Sequence, residues 1–181
     1  MKKIIIATML VGASSIVAGE HGVYIGADIG NTSGDFKITL NGSSQTESDD
    51  GGSQTLKLGY YFNANNRAAV FYQNINADGA DAHNFGVGYD YLIGNHDFKP
   101  FIGLMIGQGS YSLNDLPLDI SGMTYGGQLG LNYTVYEGLS FEAGYRYFKS
   151  TMEDSISGPG GTANFEIESL ANWFVGANYK F

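Results

Sequence analysis

Apolar and aromatic residues recur at every second position along most of this chain. Near its end the series runs Ala171, Trp173, Val175, Ala177, Tyr179 and Phe181, with Asn172, Phe174, Gly176, Asn178 and Lys180 in between. A period of two puts the first series on one face of a strand and the second, mostly polar or small, on the other. Seven earlier segments read the same way. The first sets Val23, Ile25, Ala27 and Ile29 against Tyr24, Gly26, Asp28 and Gly30; the second sets Leu56, Leu58, Tyr60 and Phe62 against Lys57, Gly59 and Tyr61. The third, Arg67 to Ile75, alternates poorly, and Ala68, Val70 and Tyr72 are its favoured apolar face. The fourth is clear, with Phe85, Val87, Tyr89, Tyr91 and Ile93 opposite Asn84, Gly86, Gly88 and Asp90. In the fifth, Ile102, Leu104 and Ile106 oppose Gly103, Met105, Gly107 and Gly109, but Phe101 and Tyr111 fall on the glycine side, which predicts a bulge or a register change. The sixth opposes Tyr125, Gly127, Leu129, Leu131 and Tyr133 to Thr124, Gly126, Gln128, Gly130 and Asn132. The seventh opposes Leu139, Phe141, Ala143, Tyr145 and Tyr147 to Ser140, Glu142, Gly144 and Arg146.

The connections alternate in length. Residues 63–66, 94–97 and 136–138 are tight turns, whereas 31–54, 76–82, 114–122 and 151–164 read as polar loops, with Phe36, Ile38 and Leu40 extending the first strand into its loop. Such an alternation belongs to an antiparallel up-and-down sheet. Outward aromatics cluster at both strand ends: Tyr72, Phe85, Tyr125, Tyr147 and Trp173 near the loops, and Tyr60, Phe62, Tyr91, Tyr133, Phe141, Tyr179 and Phe181 near the turns. Two belts with an apolar band between them predict an all-β, eight-stranded antiparallel transmembrane barrel with its apolar face toward lipid. An even strand number puts both termini on one side, the periplasmic one. A soluble sandwich or lipocalin-like barrel would reverse the meaning of the two faces and leaves the belts unexplained.

Composition supports this reading. The 27 glycines, 24 Tyr plus Phe and three prolines favour strands and turns over helices. Met1-Lys2-Lys3, the apolar run Ile4 to Val17 and the small residues Ser14, Ser15, Ala18 and Gly19 predict a signal peptide over residues 1–19, cleaved after Ala18 or Gly19, with the barrel domain occupying 20–181. Without Lys2 and Lys3 the chain keeps seven bases against 18 acids, and a net charge near −11 argues against nucleic acid as a partner. The absence of cysteine excludes disulfides and thiol chemistry.

The terminal alternation resembles the last strand of bacterial outer-membrane barrels. That resemblance implies that Trp173, Val175, Tyr179 and Phe181 serve as the signal read by the barrel assembly machinery. Inward positions hold three acids, Asp28, Asp90 and Glu142, and three bases, Lys57, Arg67 and Arg146, with Lys180 at the periplasmic mouth. An eight-stranded barrel is only wide enough for its own side chains, so these charges are expected to pair. Glu142 and Arg146, about 13 Å apart along one strand face at ~3.3 Å per residue, should find cross-strand partners instead of each other. With the run Phe141-Glu142-Ala143-Gly144-Tyr145-Arg146-Tyr147, the whole pattern resembles the OmpA transmembrane-domain and OmpX-like barrels. OmpA continues into a peptidoglycan-binding domain and this sequence stops at Phe181, so a cell-wall tether is not expected.

Candidate chemistry is sparse. Some eight-stranded barrels modify lipid A with His, Ser and an acid, but none of His21, His83 and His96 has a Ser two residues on. The run Asn74-Ile75-Asn76-Ala77-Asp78-Gly79 is similar to half a calcium loop, yet Phe85 stands where the bidentate Glu belongs, and a hairpin tip is the better reading. The loop acids Glu47, Asp49, Asp50, Asp78, Asp81, Asp115, Asp119, Glu153 and Asp154 read as a solvated face; divalent ions bridging to lipopolysaccharide are the alternative. No catalytic residue, metal or cofactor is therefore expected. The resemblance implies a structural or adhesin-like role in which the loops meet lipid and lipopolysaccharide, a host surface or an environmental ligand. A small passive channel and a lipid-modifying enzyme are the alternatives.

Overall fold

A computed structural model describes residues 21–40, 43–77, 80–113, 119–158 and 161–181; the expected leader lies outside them. The described residues form eight strands: β1 (Gly22–Leu40), β2 (Ser43–Asn63), β3 (Asn66–Ala77), β4 (Ala80–Leu92), β5 (Phe98–Leu113), β6 (Asp119–Tyr136), β7 (Leu139–Gly158) and β8 (Gly161–Lys180). Each pairs antiparallel with its sequence neighbour, and β1 also pairs with β8, which closes the barrel. Closure satisfies every edge, as a sheet in hydrocarbon requires.

The faces follow the period of two. Ile29, Leu56, Leu104 and Leu129 stand outward at 60% exposure or more in this isolated chain, where a soluble protein would hide them. Arg67, Asp90, Glu142 and Arg146 point inward and are buried. Ala68, Val70 and Tyr72 do face outward, opposite buried Phe71 and Gln73. The three short connections behave as tight turns, and Gly94 (φ +100°) and Gly138 (φ +84°) adopt the left-handed backbone that a residue with a Cβ resists.

Two expectations are overturned. No register change interrupts β5, whose ladders to β4 and β6 run unbroken. Phe101 and Met105 simply point inward, buried at 3% and 7%, because glycines on the facing strands make room. A Cβ on Gly130 would come within 2.8 Å of the Phe101 ring, and one on Gly88 within 3.4 Å of Met105. Irregularities fall elsewhere, between Asp35 and Phe36, Tyr61 and Asn63, Thr134 and Tyr136, and Lys149 and Met152.

The expected long loops are also mostly strand. Residues 31–40 and 43–54 form one continuous hairpin, Asp119 to Gly122 already belong to β6, and β7 and β8 carry the ladder across 151–158 and 161–164. Ser, Thr and Asp read as loop residues, yet paired strands accept them wherever both faces are wet or the inward face is capped by apolar groups such as Phe36, Phe165 and Ile167.

Candidate functional site: a filled lumen beneath an extended rim

Strand facing brings the six inward charges together from five strands. On β7, Arg146 grips Asp28 of β1 with both arms, Nη2 to Oδ2 at 2.5 Å and Nη1 to Oδ1 at 3.1 Å, and Nη1 also donates to the Thr55 hydroxyl at 3.0 Å. Lys57 of β2 bridges Asp28 at 3.4 Å and Glu142 at 2.7 Å. Arg67 of β3 pairs with Glu142 and, through Nη2, with Asp90 of β4 at 2.9 Å. Gln128 of β6 completes the ring: its Nε2 donates to Asp90 at 2.6 Å and its Oε1 accepts from Arg146 Nε at 2.9 Å. Glu142 and Arg146 do not pair with each other; the register of β7 against β6 and β8 sends them to different partners.

This ring has the two properties a buried ionic cluster needs, neutrality and saturated hydrogen bonding. Three carboxylates meet three cations, and the cations also lie against aromatic faces. The Arg146 guanidinium sits 3.8 Å from the Phe174 centroid, and that of Arg67 lies 5.3–5.7 Å from Tyr24, Tyr61 and Phe101. The two strands that contribute no member of the ring, β5 and β8, contribute space. A Cβ at Gly103 of β5 would fall 2.0 Å from Asp90 Oδ1, and one at Gly176 of β8 would fall 2.5 Å from Asp28 Cβ.

Toward the loops the lumen changes character. Phe71, Ile75, Met105, Ile120, Phe148, Met152, Ile167 and Leu170 form one buried apolar cluster, capped by Phe36, Tyr111 and Phe165. The spaces left are small, about 30 Å³ within this plug and about 10 Å³ beside the ring. A single water needs roughly 10–15 Å³, so neither space amounts to a path.

Above the plug the wall continues as a rim. Trp173 on the outer belt is level with Asn31, and β1 runs nine residues further to Leu40, roughly 30 Å along the strand at ~3.3 Å per residue. Asp35 accepts hydrogen bonds from the Ser169 and Ser48 hydroxyls, each at 2.8 Å, which hold its carboxyl below the usual range. Lys37 lies between Glu168 at 3.2 Å and Glu166 at 3.6 Å and is held above its usual range by them. Burial, with Asp49 nearby, pushes Tyr111 up. Asp78 and Asp115 of the expected acidic face lie outside the described residues, and among those described no group of His, Cys, Asp and Glu is arranged to hold a metal.

The terminal aromatics line the outer face: Trp173, Val175 and Tyr179 are about half exposed, and Phe181 sets its ring edge-on to Tyr179 at 5.1 Å. The Phe181 amide donates to the Val23 carbonyl at 3.0 Å, so the last residue is fixed to the first strand. His83 also faces outward, stacked on Tyr72 with Nδ1 2.9 Å from the Tyr72 hydroxyl.

Missed by sequence reasoning were Gln128, Phe174 and the plug. The alternation places Gln128 inward but does not mark it as the link that closes the ring; its position opposite Arg146 in the ladder is what assigns it. Phe174 stood among polar inward residues, and a lone aromatic facing a cation-bearing lumen was its only signal.

A closed eight-stranded barrel, apolar outside and ionically sealed within, defines a transmembrane barrel of the bacterial outer membrane. The chain matches the outer membrane protein beta-barrel domain over residues 4–181 and belongs to that family. Two solved structures are similar. Neisserial surface protein A shares 22% identity at a TM-score of 0.62, over 88% of this chain and 97% of its own. OprG from Pseudomonas aeruginosa shares 17% at 0.56, over 92% and 99%. At these identities the likeness is one of fold. No protein of curated function matches this chain.

Proposed function

We propose that the protein is a non-enzymatic, non-conducting anchor of the OmpA/OmpX-like kind. It holds a β-structured rim outside the membrane for contact with lipopolysaccharide, with other envelope components, or with a host or environmental surface. One observation carries this reading: the lumen is blocked by ring and plug, while the wall extends nine residues past the outer belt. A channel needs a continuous wet path, and spaces of about 30 and 10 Å³ do not make one. A hydrolytic reading needs an acid–histidine–nucleophile set, and the described hydrogen bond of His83 goes to a tyrosine hydroxyl. In this reading both termini are periplasmic with the tight turns, and Trp173, Val175, Tyr179 and Phe181 direct assembly. The acidic surface disfavours nucleic acid as a partner.

Planar-bilayer recording on the folded protein tests the core of the proposal. The expected trace is flat, and reproducible stepwise conductance would replace the anchor with a channel. Lipid A mass spectrometry of cells expressing the protein is expected to show no new or missing acyl chain.

A further inference from the structure

Closure pairs every strand through the membrane wall, but the rim above the wall is not closed. The ladder of β2 to β3 begins only at Gly52 and Asn76, whereas β2 pairs with β1 from Ser43 onward. Residues 43–51, roughly 30 Å of strand at ~3.3 Å per residue, are therefore paired on one side alone among the described residues. The described side chains of residues 43–50 are exposed. The Asp50 amide donates to Asp49 Oδ1 at 2.9 Å, so it turns away from β1, toward the open side. Thr46 and Ser44 stand in phase with Asp50 in an unbroken ladder, which turns their N–H and C=O groups the same way. The Ser44 and Thr39 hydroxyls lie 2.9 Å apart and Ser48 donates to Asp35 at 2.8 Å, so the hairpin presents this edge already ordered.

A sheet edge in water usually carries a device against casual pairing, such as a Lys, a Pro, a bulge or a cover. Residues 43–51 contain neither Lys nor Pro, and their ladder to β1 has no bulge. The stretch of β7 beyond Ser150 differs: where it leaves β6, Thr151 Oγ1 accepts from the Met123 amide at 3.0 Å and donates to its carbonyl at 3.3 Å. What the β2 edge carries is charge of one sign, from Glu47, Asp49 and Asp50. Lys37, the base on the same hairpin, is already held by Glu166 and Glu168. A second copy of this edge would bring three acids against three, which disfavours self-pairing and favours a strand that bears Lys or Arg.

We propose that the open edge of β2 takes on a cationic, extended segment of another protein as an added strand of the rim. The segment's backbone pairs with Thr46 and Ser44, and its Lys or Arg side chains meet Asp49 and Asp50. This inference rests on the reading of the rim as the contact surface and names the kind of partner that one edge of it fits.

The test uses the full protein folded in detergent micelles, with the backbone amide resonances of Ser44 and Thr46 as the readout. A capped octapeptide of alternating Lys and Thr should shift both resonances saturably and slow their exchange by about tenfold or more. The same peptide methylated at every backbone nitrogen keeps its charge but loses its donors, and should bind about tenfold or more weakly. An alternating Glu and Thr octapeptide should not bind. Thr46→Pro, which removes a donor on the open side, should weaken the Lys peptide by about tenfold and leave heat-modifiable gel mobility intact. Asp49→Asn combined with Asp50→Asn should weaken it by a similar factor, and that pair decides the matter if Thr46→Pro disturbs the hairpin. Equal binding of the methylated peptide would reduce the edge to a plain electrostatic attraction and overturn the proposal. So would the absence of any shift at about 1 mM Lys peptide. Neither result alters the conductance trace, so failure here is distinct from failure of the anchor reading.

Discussion

At mid-height the lumen is filled by charges, and toward the loops by hydrocarbon. Both fillings exclude water, but they respond differently to damage. The ring of Asp28, Lys57, Glu142, Arg67, Asp90, Gln128 and Arg146 depends on every member having its partner. The plug around Phe148, Met152 and Ile167 depends only on volume. Charge gives the lumen a unique arrangement at the cost of fragility; hydrocarbon tolerates change and specifies less.

The largest expected effect comes from the ring. Arg146→Met leaves Asp28 with only the 3.4 Å contact to Lys57 and takes the Arg146 donors from the Thr55 hydroxyl and Gln128 Oε1, so it should cost on the order of 3–5 kcal/mol in urea titrations in lipid vesicles. Although Glu142 shares the strand with Arg146, the compensating change is at Asp28: Arg146→Met with Asp28→Asn should recover much of the loss, and Arg146→Met with Glu142→Gln should not. A wild-type midpoint for Arg146→Met alone would mean that the ring is not sealed.

Met152→Ala is the matching cut in the plug. It removes a 3%-exposed side chain and should cost about 2–5 kcal/mol, according to how far the cluster collapses. No second substitution of charge should rescue it, and that contrast separates the two seals. Gly103→Ala should cost somewhat less, about 1–3 kcal/mol. Its methyl would lie 2.0 Å from Asp90 Oδ1, and the carboxylate can swing away only by loosening Gln128 or Arg67. Equal stability of Gly103→Ala and wild type would show slack in the ring.

The wall and the ring's ingredients were legible in the sequence because lipid and a narrow lumen impose a strict alternation that Leu56, Lys57, Leu58 and Gly59 display directly. Partner choice was not legible, since it depends on strand stagger: Asp28 and Arg146 are 118 residues apart and meet only after closure. The plug was hidden for a different reason. Phe71, Met105 and Phe148 are apolar on the face expected to be polar, and with Phe101 they weaken the alternation; in β5 this suggests an irregularity where none exists. The rim reads as loop because composition reports solvent and not hydrogen bonding; the β1–β2 ladder persists through Ser, Thr and Asp as far as Leu40 and Ser43.

The smallest effect belongs to the rim, where a carboxylate is held by neutral hydroxyls in water. Ser169 and Ser48 lower the Asp35 carboxyl below its unfolded value, so its stabilising contribution is present above the ordinary carboxylate pKa of about 3.9. That contribution is lost as pH falls through the lower, folded-state value. Lys37 with Glu166 and Glu168 faces the same hairpins and also weakens in acid, so the comparison must be made against Asp35→Ala. Backbone amide exchange at Ser48, Phe36 and Ser169 should accelerate between pH 7 and about pH 3 once corrected for intrinsic rates, and less steeply in Asp35→Ala. Exchange of the Asp28 and Arg146 amides, beneath the plug, should not follow. Identical pH profiles for wild type and Asp35→Ala would mean that the two hydroxyls order the carboxylate without contributing to the rim's stability, and that solvent screens the rim's charges as thoroughly as the lumen protects its own.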